Sequence, residues 1–216
     1  MPKVCIDPGH GAQDSGSISG KRLEKNDNLA LALRLDAQFR AQRWQTLLTR
    51  DDDSHIILAH RTALANTEKC DLFLSCHRNG FVNAAANGAE IWLHSQAPQR
   101  YKDWAADILA RFAALGFANR GVKLGYRDSL AADYAVNRNT NMPSMLLELG
   151  FVTSDKDNAL FDDKPAEICE AIVRGCCTFS GVAYTENVPT PPVNKTYTLD
   201  VPKLKGQGFD KIEIAL

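Results

Sequence analysis

The run Ser144-Met145-Leu146-Leu147 limits what this chain can fold into more than any other stretch. It is short, apolar and preceded by Pro143, the pattern of a strand buried on both faces. A strand buried on both faces needs a sheet covered by helices on either side. Glu148 follows directly, inside Leu147-Glu148-Leu149-Gly150-Phe151. A carboxylate in an apolar setting is costly unless it is paired, protonated or near a cation. The strand is therefore expected to end at Glu148 and carry it out of the core. Taken alone, Glu148 could simply emerge into solvent there. Two further stretches argue otherwise. Lys3-Val4-Cys5-Ile6 leads into Asp7-Pro8-Gly9-His10-Gly11, and Asp71-Leu72-Phe73-Leu74 leads into Ser75-Cys76-His77-Arg78-Asn79. Each apolar run ends near a residue able to bind a metal.

Helical periodicity lies between these runs. Leu29, Leu33, Leu35 and Phe39 predict a helix from Leu23 to about Arg43, with Glu24 in its first turn. Trp44 to Thr49 reads as a strand. Asp51-Asp52-Asp53-Ser54 reads as helix-capping residues before a helix from His55 to Thr67. A calcium loop there lacks the EF-hand pattern. Gly88 to His94 alternates like a strand solvated on one face. Arg100 to Leu115 is helical and closed by Gly116, Asn119 to Asp133 is loop-like, Tyr134 to Asn137 is a short strand, and Lys164 to Phe179 is the last helix. Alternating strands and helices predict an α/β fold, a twisted and mostly parallel sheet with helices on both faces. Ligands bind outside the carboxyl ends of strands in such sheets, where His10, His77 and Glu148 all fall.

The 216 residues carry a net charge of −1 with no basic run, which argues against a nucleic-acid partner. No apolar run is long enough for stable membrane insertion. Cys5, Cys70, Cys76, Cys169, Cys176 and Cys177 form no CxxC pair and sit mostly in apolar runs, as small core residues suited to a reducing compartment. Strand alternation turns Cys76 away from the face of His77.

Two histidines and a carboxylate make a zinc site with one position open to water. Here His10, Glu24 and His77 would be the ligands. Zinc lowers the pKa of bound water toward ~7, and a carboxylate free of the metal can take its proton. Glu148 would be that base. Each residue has a plainer reading: His10 as a turn residue, His77 as a histidine at a strand end, Glu24 as a charge opposing the helix dipole. His55, His60 and His94 are read as structural or surface groups. HExxH, Gly-x-Ser-x-Gly and P-loop motifs are absent.

Four motifs in register carry a family resemblance: Asp7-Pro8-Gly9-His10-Gly11, Leu23-Glu24, Ser75-Cys76-His77-Arg78-Asn79 and Leu147-Glu148-Leu149-Gly150-Phe151. With Asn119-Arg120-Gly121-Val122-Lys123 and Asn139-Thr140-Asn141-Met142-Pro143-Ser144 between the last two, residues 3 to 180 resemble the zinc-dependent N-acetylmuramoyl-L-alanine amidases of the amidase-3 type. The resemblance implies that Zn2+ is held by His10, Glu24 and His77, that Glu148 is catalytic, and that Asn79 lines the substrate cleft. Arg78 and Gly80 depart from the usual neighbours of the second histidine. The implied reaction is hydrolysis of the amide between N-acetylmuramic acid and L-Ala in peptidoglycan. A zinc peptidase cutting within the stem peptide and a non-catalytic wall-binding module are the rival readings.

The first strand begins right after the initiator Met, so no signal peptide is expected. The chain would be made in the cytoplasm and act on the bacterial cell wall. That suggests a phage or prophage endolysin released through a holin-type pore. The expected organisation is a catalytic domain over residues 1–183, a Pro-rich linker over 184–194 and a short tail over 195–216. In the tail, Tyr197 to Val201 and Lys211 to Ile214 could pair as a hairpin, begin a wall-binding module, or join copies into a homo-oligomer.

Overall fold

The computed structural model describes residues 1–83, 85–127 and 129–186, and the backbone of 196–200 and 211–215. In chain order the elements are β1 (Lys3–Pro8), β2 (Ile18–Ser19), β3 (Arg22–Leu23), α1 (Glu24–Ala41), β4 (Gln45–Leu48), α2 (Leu58–Thr67), β5 (Leu72–Asn79), β6 (Ala89–Leu93), α3 (Gln99–Leu115), β7 (Asn119–Leu124), α4 (Ala135–Arg138), β8 (Ser144–Phe151), α5 (Asp155–Asp163) and α6 (Pro165–Ser180). Two short strands follow, β9 (Thr196–Asp200) and β10 (Lys211–Ala215), paired antiparallel with each other.

Six strands form the central sheet in the order β4-β1-β5-β8-β6-β7. The first four run parallel, β6 meets β8 antiparallel, and β7 runs parallel to β6. The sheet is thus mostly parallel, as the alternation of elements predicts. Side chains alternate across it. Val4, Ile6, Leu72, Leu74, Cys76, Met145, Leu147 and Leu149 join the large core under α1, α3 and α6. Cys5, Phe73, Trp92 and Leu146 join a smaller one that includes Ala65 of α2 and Val136 of α4. The second face is thinly covered, and the cleft opens there. All six cysteines are buried and free, and Cys76 lies in the large core, away from the face of His77.

Several local expectations are corrected. The strand at Ser144 does not stop at Glu148; it runs to Phe151, so Glu148 sits inside the sheet. Tyr134 to Asn137 is not a strand. It overlaps the single helical turn α4, where Val136 is buried and the Asn137 amide donates to the Trp92 carbonyl at 2.9 Å. The segment read as a loop from Asn119 begins with the edge strand β7, whose charged residues suit an exposed sheet edge. β6 is buried on both faces rather than half-solvated. The second helix begins at Leu58, with no side-chain cap. Its acidic run is used elsewhere: Asp52 accepts from the Ser54 amide, and Asp53 from the Ala12 amide and Lys25. Helix α5 escaped notice, although Ser154 caps it by accepting from the Asp157 amide.

Residues 187–194 of the expected linker lie outside the described residues. Its first three residues pack onto the domain. Thr185 exchanges hydrogen bonds of 2.8 and 2.9 Å with the Gln42 side chain, Tyr184 stacks under Arg174, and Glu186 pairs with Arg174. A chain ending at residue 186 should therefore unfold in urea like the full chain. One ending at 183 should be less stable by ~1–3 kcal/mol, the worth of two to three hydrogen bonds. Equal midpoints for the two truncations would deny Tyr184–Glu186 a structural role.

Candidate metal centre and active-site cleft

β1 delivers His10. The strand ends at Pro8, and the chain turns sharply, with His10 itself in the left-handed region at φ 63°. Such a conformation is strained for a residue with a side chain and marks a held position. His10 Nδ1 lies 2.9 Å from Asp14 Oδ2, which leaves Nε2 to face the centre. α1 delivers Glu24 from its first turn. Leu23, just before it, is buried, and this fixes where the helix starts.

Glu24 is the hub of the site and is almost wholly buried. Its Oε1 lies 3.1 Å from His10 Nε2 and 2.9 Å from His77 Nδ1, and it accepts from the Arg78 amide at 3.2 Å. Its Oε2 accepts from the Ser17 amide at 2.8 Å. Burial alone would raise its pKa. The bonds from His10 and His77 outweigh that and hold the carboxyl well below the usual range.

β5 delivers His77, and the neighbouring strands complete its row. His77 pairs in register with Glu148 of β8, and Glu148 with Glu90 of β6. Glu148 reaches the cleft, but its Oε2 is sealed from solvent and has no hydrogen-bond partner. Burial, with the nearby charges of Glu24 and Glu90, pushes its pKa well above the carboxylate norm. Glu90 is held differently: Asn79 and Trp92 donate to Oε1 at 3.1 and 3.2 Å, and Arg120 to Oε2 at 2.9 Å. Asn79 lines the cleft as expected, with its amide engaged on Glu90.

Two glycines are required by close approach. A side chain on Gly9 would place Cβ 2.2 Å from His77 Cε1. One on Gly16, at φ 64°, would meet Glu24 Oε2 at 2.5 Å and His10 Cδ2 at 2.6 Å. The surrounding cleft measures ≈1160 Å³ and opens to solvent, with His55–Leu58, Phe81 and Tyr134 among its walls.

The donor set suits a metal ion. One atom each from His10, Glu24 and His77 lie within 4.8 Å of one another, and the two histidine–glutamate distances are 3.1 and 2.9 Å. Ligand atoms ~2.0–2.1 Å from a tetrahedral zinc ion stand roughly 3.3 Å apart. Two imidazoles and one carboxylate fit zinc in type, the two histidine–glutamate distances are close to that spacing, and the unpartnered Glu148 Oε2 adds an orphaned acceptor beside them. His55 lines the cleft without joining this cluster, and His94 is tied to Asp133 and the Gln96 amide.

Sequence reasoning missed Asp14, Glu90 and the buried cations beneath the His10 loop. Asp14 lay in a Gly- and Ser-rich stretch and carried no signal. Glu90 did: in Ala89-Glu90-Ile91-Trp92-Leu93 it shares a face with Trp92, an acidic residue beside a large aromatic one.

A sequence model for a family described as N-acetylmuramoyl-L-alanine amidase matches residues 4–178. The chain is 36% identical over 172 residues to the N-acetylmuramoyl-L-alanine amidase LytC of Bacillus subtilis, covering 76% of this chain and 33% of that one. It thus spans about a third of that relative's length. The catalytic domain of CwlV, an N-acetylmuramoyl-L-alanine amidase from Bacillus (Paenibacillus) polymyxa, superposes with a TM-score of 0.74 at 33% identity, covering 85% of this chain and all of that one. An N-acetylmuramoyl-L-alanine amidase from Clostridium difficile gives a TM-score of 0.76 at 30% identity, covering 83% and 97%.

The Gly9 contact gives a test. Gly9→Ala should displace the His77 ring and weaken zinc binding by ~10-fold or more, as loss of ligand positioning does. Overpacking costs ~1–3 kcal/mol, so most of the protein should still fold. Zinc titration beside far-UV circular dichroism separates the effects; unchanged zinc affinity would mean His77 is not a ligand.

Proposed function

The chain belongs to the N-acetylmuramoyl-L-alanine amidase family, and we propose that it hydrolyses the amide between N-acetylmuramic acid and L-Ala of peptidoglycan, with His10, Glu24 and His77 holding a zinc ion and Glu148 moving the proton. The observation that carries this reading is the convergence of His10, Glu24 and His77 on one point beside an unpartnered Glu148 oxygen.

Bound there, zinc would polarise the scissile carbonyl and acidify water toward a pKa of ~7. The protein's own groups do the rest. His10 and His77 present one ring nitrogen each to the centre, and Asp14 fixes the orientation of His10. Glu148 Oε2, free of other partners, accepts the proton of the attacking water and returns it to the departing L-Ala nitrogen. Asn79 and Glu90 line one side, where they would meet the glycopeptide, and Arg120 holds Glu90 from behind. The open cleft suits a polymer lying across it.

The same reading places the enzyme in cell lysis. Residues 195–216 would serve wall binding or assembly of copies, and a holin-type pore would give access to the wall. If so, the full chain and a chain ending at 186 should cleave soluble muropeptides equally, with only the full chain efficient on intact walls.

The reaction is tested by mass spectrometry of digested peptidoglycan. Intact glycan strands and stem peptides with a free N-terminal L-Ala are expected, and a chelator should abolish them. Products cut within the stem peptide would assign a peptidase instead.

The two acidic residues should separate. Glu148→Gln keeps shape but cannot take a proton, so turnover should fall by ~10²–10⁴-fold with zinc content unchanged. Glu24→Gln should lose zinc and recover some activity at high zinc concentration. Zinc content and initial rates on both variants decide the matter, and the reverse pattern would exchange the two assignments.

A further inference from the structure

The loop that carries His10 is strained at successive residues: φ is 63° at His10, 137° at Gly11 and 49° at Ala12. Non-glycine residues keep such angles only where the surroundings impose them. The surroundings here are buried cations. The Pro8 carbonyl accepts from Arg50 at 3.0 Å and Arg61 at 2.6 Å, and the Gly9 carbonyl from Arg50 at 2.8 Å. The His10 carbonyl accepts from Arg61 at 2.8 Å and the Ala12 carbonyl from Lys25 at 2.8 Å. The Gly11 carbonyl accepts from the Asp14 amide. Every carbonyl from Pro8 to Ala12 is thereby engaged, and three of the donors are side chains almost without solvent contact.

Arg61 differs from the other two in touching the backbone of the ligand itself. It stands on α2, and its whole planar fork is used. Nη2 holds the His10 carbonyl, Nη1 holds the Pro8 carbonyl and Asp7 Oδ1, and Nε holds the Ile56 carbonyl. Asp7 is in turn fixed by Thr49 at 2.6 Å and Ser75 at 2.7 Å, so the fork rests on an anchored base. Ile56 belongs to the cleft wall. Arg61 therefore ties the backbone of His10 to the sheet on one side and to the wall facing substrate on the other.

We propose that Arg61 is a positioning residue for the metal centre, keeping His10 in its left-handed conformation and at its distance from Glu24 and His77. This role rests on the reading of those three residues as a zinc site. A bland reading is that Arg61 only stabilises the fold by pairing with buried Asp7. The two differ in what a conservative change does. Lysine keeps the charge near Asp7 but lacks the fork and cannot hold the His10, Pro8 and Ile56 carbonyls together.

The test uses the full chain and zinc ion alone, competed against a chromophoric chelator. The variants are Arg61→Lys, Arg61→Gln and, as a destabilised control far from the site, Ile172→Val in the core of α6. Arg61→Lys is expected to bind zinc ~10–100-fold more weakly, the usual effect of losing support behind a ligand. Ile172→Val should bind as the parent does. Arg61→Gln should be at least as weak; if it fails to fold, Arg61→Lys decides. Parent-like affinity in Arg61→Lys would overturn the positioning role and leave the zinc site standing. No zinc binding by the parent chain would instead overturn the zinc site itself, and the role with it.

Discussion

Glu24 is the buried negative charge on which the carboxyl edge of the sheet depends. An ionised carboxylate removed from water must be repaid by donors placed around it. Here they come from three other segments. His10 arrives from the β1 loop, Ser17 from the β2–β3 hairpin, and His77 and Arg78 from β5, while α1 supplies Glu24. Removing any one would leave the charge short of partners, so their mutual placement is fixed. The close packing of Gly9 and Gly16 against the site follows from this convergence.

The sheet explains why the convergence can occur at that edge. In β1, β5 and β8 the odd–even alternation sends one set of side chains into the core under α1, α3 and α6. The other set, including Asp7, Ser75, His77 and Glu148, faces the thinner layer of α2 and α4. β6 runs the opposite way, yet its register sets Glu90 beside Glu148 in the same row. Large apolar residues fill one face, and on the other, polar groups that answer one another lie beside the smaller core of Phe73, Trp92 and Leu146. Arg78, on the apolar side, is accommodated because Asp27 and the carbonyls of Leu149 and Phe151 satisfy it and the Phe161 ring lies against it. The same residue that departs from the usual motif thus locks β5 to α1 and β8.

What was legible in the sequence follows from these rules. The apolar runs before His10 and His77 and around Glu148 announced buried strands, and their chemistry-bearing ends announced the cleft. The helical period around Leu29 to Phe39 placed Glu24 at a helix start. Segments decided by tertiary packing were not legible. Tyr134 to Asn137 has the composition of a strand, but β7 already holds the sheet edge and the Asn137 side-chain N–H donates to the Trp92 carbonyl. The acidic run at Asp51 has the composition of a cap, but its nearest strong partners, the Ala12 amide and Lys25, come from distant parts of the chain. Arg50, Arg61 and Lys25 look like surface charges in a sequence, because nothing local shows the carbonyls they will meet.

Glu24, from α1, and Glu148, from β8, meet at the carboxyl edge of the sheet and face opposite conditions. Glu24 is wrapped in donors that overcome its burial and keep it ionised, and its two oxygens are already committed. Such a group stays ionised, which suits holding a cation where the two histidines converge and does not suit carrying a proton. Glu148 is half-buried, with its Oε2 sealed from solvent and without a donor, and the charges of Glu24 and Glu90 press on it further, so its affinity for a proton is raised. Environments that drive two carboxyls apart in this way divide acid–base work between them. The division follows from which residues stand beside each group: Ser17, His10 and His77 beside one, Glu90 beside the other. It supports giving the ligand role to Glu24 and the proton-carrying role to Glu148. Glu90 enters on the side of Glu148: Arg120, Asn79 and Trp92 hold its two oxygens in place, and its charge helps raise the proton affinity of the neighbouring carboxyl.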